Sequence, residues 1–148
     1  MLKLCWNIKN LFLSLFMRRT VGARALVLQG DQVLLIKHTY MPEWHTIGGG
    51  VDAGESALQA VIRELQEEVG IEPLDEPSLF GFYYNPHSKH DDYVAFFICK
   101  KFTQKPCKSR EILEAKWFPI NDLPQDISPG TQRRIDEYLG KCPKRDRW

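Results

Sequence analysis

The chain has 148 residues, 43% of them hydrophobic and 26% charged, with a formal net charge of +1. That length suits one domain with a real core, and the near-neutral balance supplies no basic field for a stable nucleic-acid partner. Cys5, Cys99, Cys107 and Cys142 lack any metal-ligand spacing and read as reduced thiols of a cytoplasmic protein, and no apolar run is long enough for a transmembrane segment.

Residues 1–17 read as an N-terminal extension, 18–142 as a single domain and 143–148 as a C-terminal tail. Leu11–Met17 is apolar and follows Lys3 and Lys9, but it runs into Arg18-Arg19 without a small-residue cleavage site, unlike a signal peptide. Leu4, Ile8, Leu11 and Leu15 share one helical face, so a membrane-surface helix is one alternative. A translation start at Met17 is another; a docked or frayed extension is favoured.

Ala23–Leu28 and Gln32–His38 predict a hairpin around Gln29-Gly30-Asp31. Trp44–Ile47 predicts a short strand that ends in Gly48-Gly49-Gly50. Leu79–Tyr84 and Tyr93–Phe102 are β-branched and aromatic runs separated by a polar loop, Asn85–Asp92. Ala115–Phe118 predicts another strand. A last helix is expected over Pro129–Leu139, with Ser128 as N-cap and Gly140 just beyond its end. This order suits an α/β/α sandwich with a mixed β-sheet.

Between these strands lies the segment richest in chemistry. Leu58, Val61, Ile62, Leu65 and Val69 recur at helical spacing, and Gly70 stands at the expected C-cap. Off that apolar stripe lie Glu64, Glu67 and Glu68, related as i, i+3 and i+4, so their carboxylates can converge. Most Glu-rich helical faces are simply solvated, with pairs such as Arg63–Glu67 adding a few tenths of a kcal/mol. Three carboxylates within one turn, however, repel unless a cation neutralises them. Hard oxygen donors of this kind suit Mg2+ or Mn2+ bridging to substrate phosphates.

The surrounding pattern decides between these readings. Gly49 is followed after five residues by Glu55, then after seven by Arg63-Glu64-Leu65, then Glu67-Glu68 and Gly70-Ile71. This layout resembles the Nudix box of enzymes that hydrolyse nucleoside diphosphates linked to another group. The resemblance implies the Nudix fold and a metal-dependent pyrophosphohydrolase. It implies that Glu64, Glu67 and Glu68 coordinate divalent metal or activate water, and that Arg63 orients a neighbouring glutamate. Glu55 would support metal waters or pair with Arg63, and the Gly48 carbonyl would be a main-chain metal ligand. The general base differs between Nudix branches and stays unassigned.

Outside the box, the resemblance makes Trp44 and His45 candidates for contact with substrate, although an aromatic such as Trp44 is as readily core. His90, in the basic loop His87–His90, is a candidate phosphate contact. Glu111 resembles an additional metal-binding glutamate of the MutT branch, with Glu114 as competitor. Pro86, fifteen residues after Ile71, resembles a proline of ADP-ribose pyrophosphatases and favours ADP-ribose or a sugar nucleotide. A MutT-like nucleoside triphosphate pyrophosphohydrolase is the alternative, and a non-catalytic nucleotide sensor is an alternative of another class. The complete box argues against the sensor, whose glutamates or arginine are typically replaced. A monomer and a homodimer both remain open.

Overall fold

The computed structural model describes residues 19–86 and 91–148. The N-terminal extension and the His87–His90 loop, including the expected phosphate contact His90, lie outside the described residues. Strand β1 (Arg19–Gln29) is the hub of the sheet. It pairs antiparallel with β2 (Gln32–His38) at one end and with β3 (Ile47–Gly50) at the other, and along its other edge parallel with β6 (Asp91–Cys99). Strand β5 (Ser78–Asn85) extends the sheet beyond β6, and β8 (Ile112–Pro119) extends it beyond β2.

Both faces of β1 are buried, because its side chains alternate between two cores. Ala23, Ala25 and Val27 pack with Leu34, Ile36 and Ile47 under helix α1 (Ala57–Val69). Leu26 and Leu28 pack with Phe96, Ile98 and Ile135, the last from helix α2 (Pro129–Tyr138). The result is the expected α/β/α sandwich with a mixed sheet. In α2, Ser128 caps through the Thr131 amide and Pro129 opens the helix.

Several boundaries differ from the sequence reading. Trp44 and His45 make only isolated bridges, and the regular strand runs through the glycines as β3. An extended glycine run reads as a turn, yet here it lies flat against Gly22–Ala25. The run expected over Tyr93–Phe102 breaks after Cys99. Phe102–Gln104 (β7) leaves the sheet to pair with β4 (Ile71–Pro73), a strand too short to show periodicity.

The end of the expected C-terminal tail lies along the domain as a strap. The Tyr84 amide donates to the Asp146 carbonyl at 2.8 Å, and the Trp148 amide donates to the Tyr84 carbonyl at 2.9 Å. Residues 146–148 thus cover the free edge of β5, whose unpaired backbone would otherwise be exposed. Beneath the strap, Arg134 and Glu137 form a fully buried pair at 2.8 Å. Glu137 also accepts from the Tyr83 hydroxyl at 3.0 Å and the Arg145 amide at 3.1 Å, while Arg134 donates to the Arg147 carbonyl at 3.1 Å. Removing one partner of a buried pair strands the other charge. Glu137→Ala is therefore expected to cost about 3–5 kcal/mol in urea unfolding, and a loss below about 1 kcal/mol would contradict this role.

Candidate active site

Helix α1 is fixed at both ends before its glutamates matter. Ser56 accepts from the Gln59 amide at 3.1 Å, and the Gln59 side chain accepts from the Ser56 amide at 2.9 Å. This is a capping box that the sequence reading overlooked. Gly70 ends the helix at φ 67°, where a Cβ would strike the Lys105 carbonyl. Ala60, Val61, Leu65 and Val69 bury the apolar stripe.

Arg63 gathers the polar face. Its Nε and Nη2 donate to the two oxygens of Glu55 at 2.9 and 3.0 Å, in the bidentate geometry that lysine cannot reproduce. Nη1 donates to Glu64 at 2.7 Å and weakly to Glu67 at 3.4 Å, and Nη2 also donates to the Gly50 carbonyl at 3.0 Å. The hydrogen bonds to Glu55 and Glu64 push the Arg63 pKa further up, and Arg63 holds that of Glu55 down. The expected Arg63–Glu55 pair is present.

The glutamates divide by position. Glu64 lies against Gly49, where an added Cβ would come 2.5 Å from its Oε1. A side chain at this position would therefore displace the Glu64 carboxylate from its place beside Arg63. Glu68 is buried and accepts from the Gly48 amide at 2.9 Å. Glu67 points outward, with its side chain 62% exposed. The carboxylates therefore do not yet meet at one point, and among the described residues no three acidic, His or Cys side chains form a closed metal cage. Arg63 holds Glu64 and the Gly48 amide holds Glu68, which accounts for the separation.

The donor set nevertheless fits a hard divalent cation. Burial, with Glu64 and Glu111 nearby, raises the Glu68 pKa to about 8, despite the Gly48 N–H and the Arg24 charge. This is a carboxylate lacking compensating charge, which a cation would supply. Glu111 stands just before β8, its carbonyl accepting from the Thr39 amide at 2.9 Å, and its charge acts on Glu68, Tyr40 and His38. Its competitor Glu114 lies within β8, opposite Lys37.

Beside Gly49 and Gly50 opens a cavity of about 620 Å³, lined also by Arg24, His45, Asp92 and Trp148. That volume is ample for a nucleotide-sized ligand. His45 is buried with Nε2 unpartnered by hydrogen bonds, and burial, then Arg24 and His38, lowers its pKa to about 4. Trp44 is not part of the lining. It packs edge-on against Phe118 at 4.8 Å in the α2-side core, the place its alternative reading as a core aromatic gives it. Arg24 and Trp148 were missed. Arg24 donates to the Thr46 carbonyl at 3.1 Å, and a lone arginine within an apolar strand was the available signal. Trp148 had none, since it ends a charged stretch.

The Glu68 shift has a sign that can be tested. The folded protein keeps this proton up to about pH 8, while the unfolded chain releases it near the ordinary carboxylate value. The associated stability is complete below the unfolded value and is lost as pH rises through the folded one. His45 runs oppositely: its contribution is present above the ordinary histidine value of 6.5 and lost as pH falls towards about 4. Between roughly pH 6.5 and 8 the Glu68 contribution dominates. With EDTA present, stability should fall by about 1–2 kcal/mol across that window. Glu68→Gln, which keeps an acceptor for Gly48, should flatten the profile, and a flat wild-type profile would contradict the assignment.

Comparison with known proteins agrees with this geometry. Residues 18–138 match the NUDIX domain. A Bacillus subtilis (strain 168) protein named "Putative 8-oxo-dGTP diphosphatase" is 32% identical over 120 residues, covering 80% of this chain and 79% of its own. The NAD-capped RNA hydrolase NudC of Pseudomonas aeruginosa (strain LESB58) is 34% identical over 121 residues, covering 78% of this chain but 42% of its own. The chain thus spans under half the length of that relative. The MutT NUDIX hydrolase from Burkholderia pseudomallei superposes with a TM-score of 0.70 at 25% identity, covering 80% of this chain and 97% of that one. The MutT protein from Methanosarcina mazei Go1, at 20% identity and a TM-score of 0.71 over 88% of this chain and 99% of that one, shares the fold. The chain belongs to the Nudix family and is a Nudix pyrophosphohydrolase.

Proposed function

We propose that this enzyme hydrolyses a phosphoanhydride of a free nucleotide with Mg2+ or Mn2+, and that its substrate is a nucleoside triphosphate, cleaved to the monophosphate and pyrophosphate. The observation that carries the reading is the contiguity of the Arg63-ordered glutamates with the cavity, through Gly49 and Gly50. The triphosphate is favoured because the Bacillus subtilis relative, named for 8-oxo-dGTP, aligns over about four fifths of both chains. ADP-ribose or a sugar nucleotide is the second reading. Its support is Pro86, an exposed turn residue after β5 that does not line the cavity.

Glu64, Glu67, Glu68, Glu111 and the Gly48 carbonyl are the proposed oxygen donors for the cations. When bound, these cations neutralise charge on the bridging and leaving phosphate oxygens. Arg63 is a positioning residue: it holds Glu64 toward the glycine strand and ties Glu55 and Gly50 to the same point. Glu64 or Glu68 takes the proton of the attacking water, as both flank β3. Arg24 and His45 lie where a phosphate or base would enter. Water adds its oxygen to one phosphorus as the bridging oxygen departs with the other product.

Product analysis with dGTP, 8-oxo-dGTP and ADP-ribose in ¹⁸O-labelled water and Mg2+ tests this directly. Nucleoside monophosphate plus pyrophosphate from a triphosphate is expected. Turnover of ADP-ribose alone would replace the first reading with the second, and no turnover of any would overturn both. Glu68→Gln and Glu67→Gln should each lower kcat, the buried Glu68 by several orders of magnitude, because a lost donor impairs both metal binding and charge neutralisation. Full activity of Glu68→Gln would contradict the donor assignment.

A further inference from the structure

We propose that Trp148 sets the base preference of this enzyme, its indole forming the wall against which a purine of the substrate is held. The inference rests on the cavity being the nucleotide site, as read above.

Trp148 reaches the cavity because the chain is tied down around it. Its amide is bonded to the Tyr84 carbonyl at 2.9 Å, and its carbonyl accepts from Arg133 Nη1 at 3.2 Å. The indole packs edge-to-face with Tyr83 and Phe96, at centroid distances of 5.9 and 5.7 Å, and the Arg134 guanidinium lies 5.2 Å from it. Gly130 completes the slot, since any Cβ there would strike the indole nitrogen. The ring is thereby fixed in orientation, yet Trp148 remains only partly buried and lines the cavity.

The cavity has one such surface. Among its described lining residues, Trp148 supplies the extended aromatic ring, and the other ring is the smaller imidazole of His45. Gly49 and Gly50, from β3, line the same cavity as Trp148, on the strap, and Gly130, on α2. Substrate phosphates directed to the box would therefore leave the base toward the indole. A preorganised aromatic surface favours a base with a large ring system, because stacking grows with overlapped area. Asp92, fixed by hydrogen bonds from Thr20 at 2.8 Å and Asn85 at 3.0 Å, offers carboxylate acceptors on the same cavity. These match the N–H edge of a guanine-type base.

The test is equilibrium binding, which does not depend on turnover. The 148-residue protein with Mg2+ is titrated with dGMP, dCMP and 2-deoxyribose 5-phosphate, following tryptophan fluorescence and calorimetry. Wild type should bind dGMP about tenfold more tightly than dCMP, with quenching that Trp148→Phe removes. Trp148→Phe should narrow the dGMP-to-dCMP ratio to about threefold or less, while leaving 2-deoxyribose 5-phosphate unchanged. The phenylalanine keeps a ring against Tyr83 and Phe96, so this variant decides even if Trp148→Ala fails to fold. Equal binding of dGMP and dCMP by wild type, or an unchanged ratio and quench in Trp148→Phe, would overturn the proposal. If triphosphates are hydrolysed while the two bases bind alike, this inference fails and the substrate reading stands. If Trp148-dependent dGMP binding occurs without turnover, this inference stands and the substrate reading fails.

Discussion

The arrangement depends on the Arg63 guanidinium. One planar group bonds Glu55 in the loop before α1, Glu64 and Glu67 on the helix, and the Gly50 carbonyl on β3. Helix, loop and strand are thereby joined at a single cation. Without it, the carboxylates of one helical face would repel each other and the loop that leads into the helix would lose its anchor. The arginine compensates part of that charge. Glu68, out of its reach and buried on the Gly48 amide, keeps the uncompensated remainder and a raised pKa.

The second half of the site has a different physical origin. Its cavity is assembled from β1, β3, β6, α2 and the strap, so no continuous segment encodes it. The strap is held by a buried arginine–glutamate pair on successive turns of α2, bonded also to Tyr83 and the backbone of residues 145 and 147. Burying such a pair is costly, but its hydrogen bonds specify one position for the strap. The proposed catalytic residues are thus local to one helix and strand, while the lining of the proposed substrate cavity is distributed over the fold.

That difference decides what was legible in the sequence. The helix with its apolar stripe, the C-cap at Gly70 and the hairpin at Gly30 follow from short-range periodicity and spacing, and the Arg63–Glu55 pair was implied by the resemblance to the Nudix box. The flat course of Gly48–Gly50 was not legible as a strand, because glycine carries no side-chain pattern; its reason appears only when Glu64 is seen against Gly49. The placement of Trp44 and Trp148 was not legible for a related reason. Each is an aromatic near a loop, and only the tertiary register places the first in the core and the second on the cavity. Nothing in the spacing of Arg134 and Glu137, three residues apart, marks them as buried. Their burial arises from the strap above them, which has no hydrophobic periodicity of its own.

The central claim is that Arg63 orders the glutamates through the geometry of its fork rather than through charge alone. Its most direct measurement is kcat of Arg63→Lys at saturating Mg2+, alongside the melting temperature of the same variant. Lysine keeps the positive charge but cannot hold Glu55 with paired donors while also reaching Glu64 and the Gly50 carbonyl. The account predicts a folded protein, with a melting temperature within a few degrees of wild type and kcat lowered about ten- to a hundredfold or more. A kcat within about threefold of wild type would contradict it, because net charge alone would then suffice.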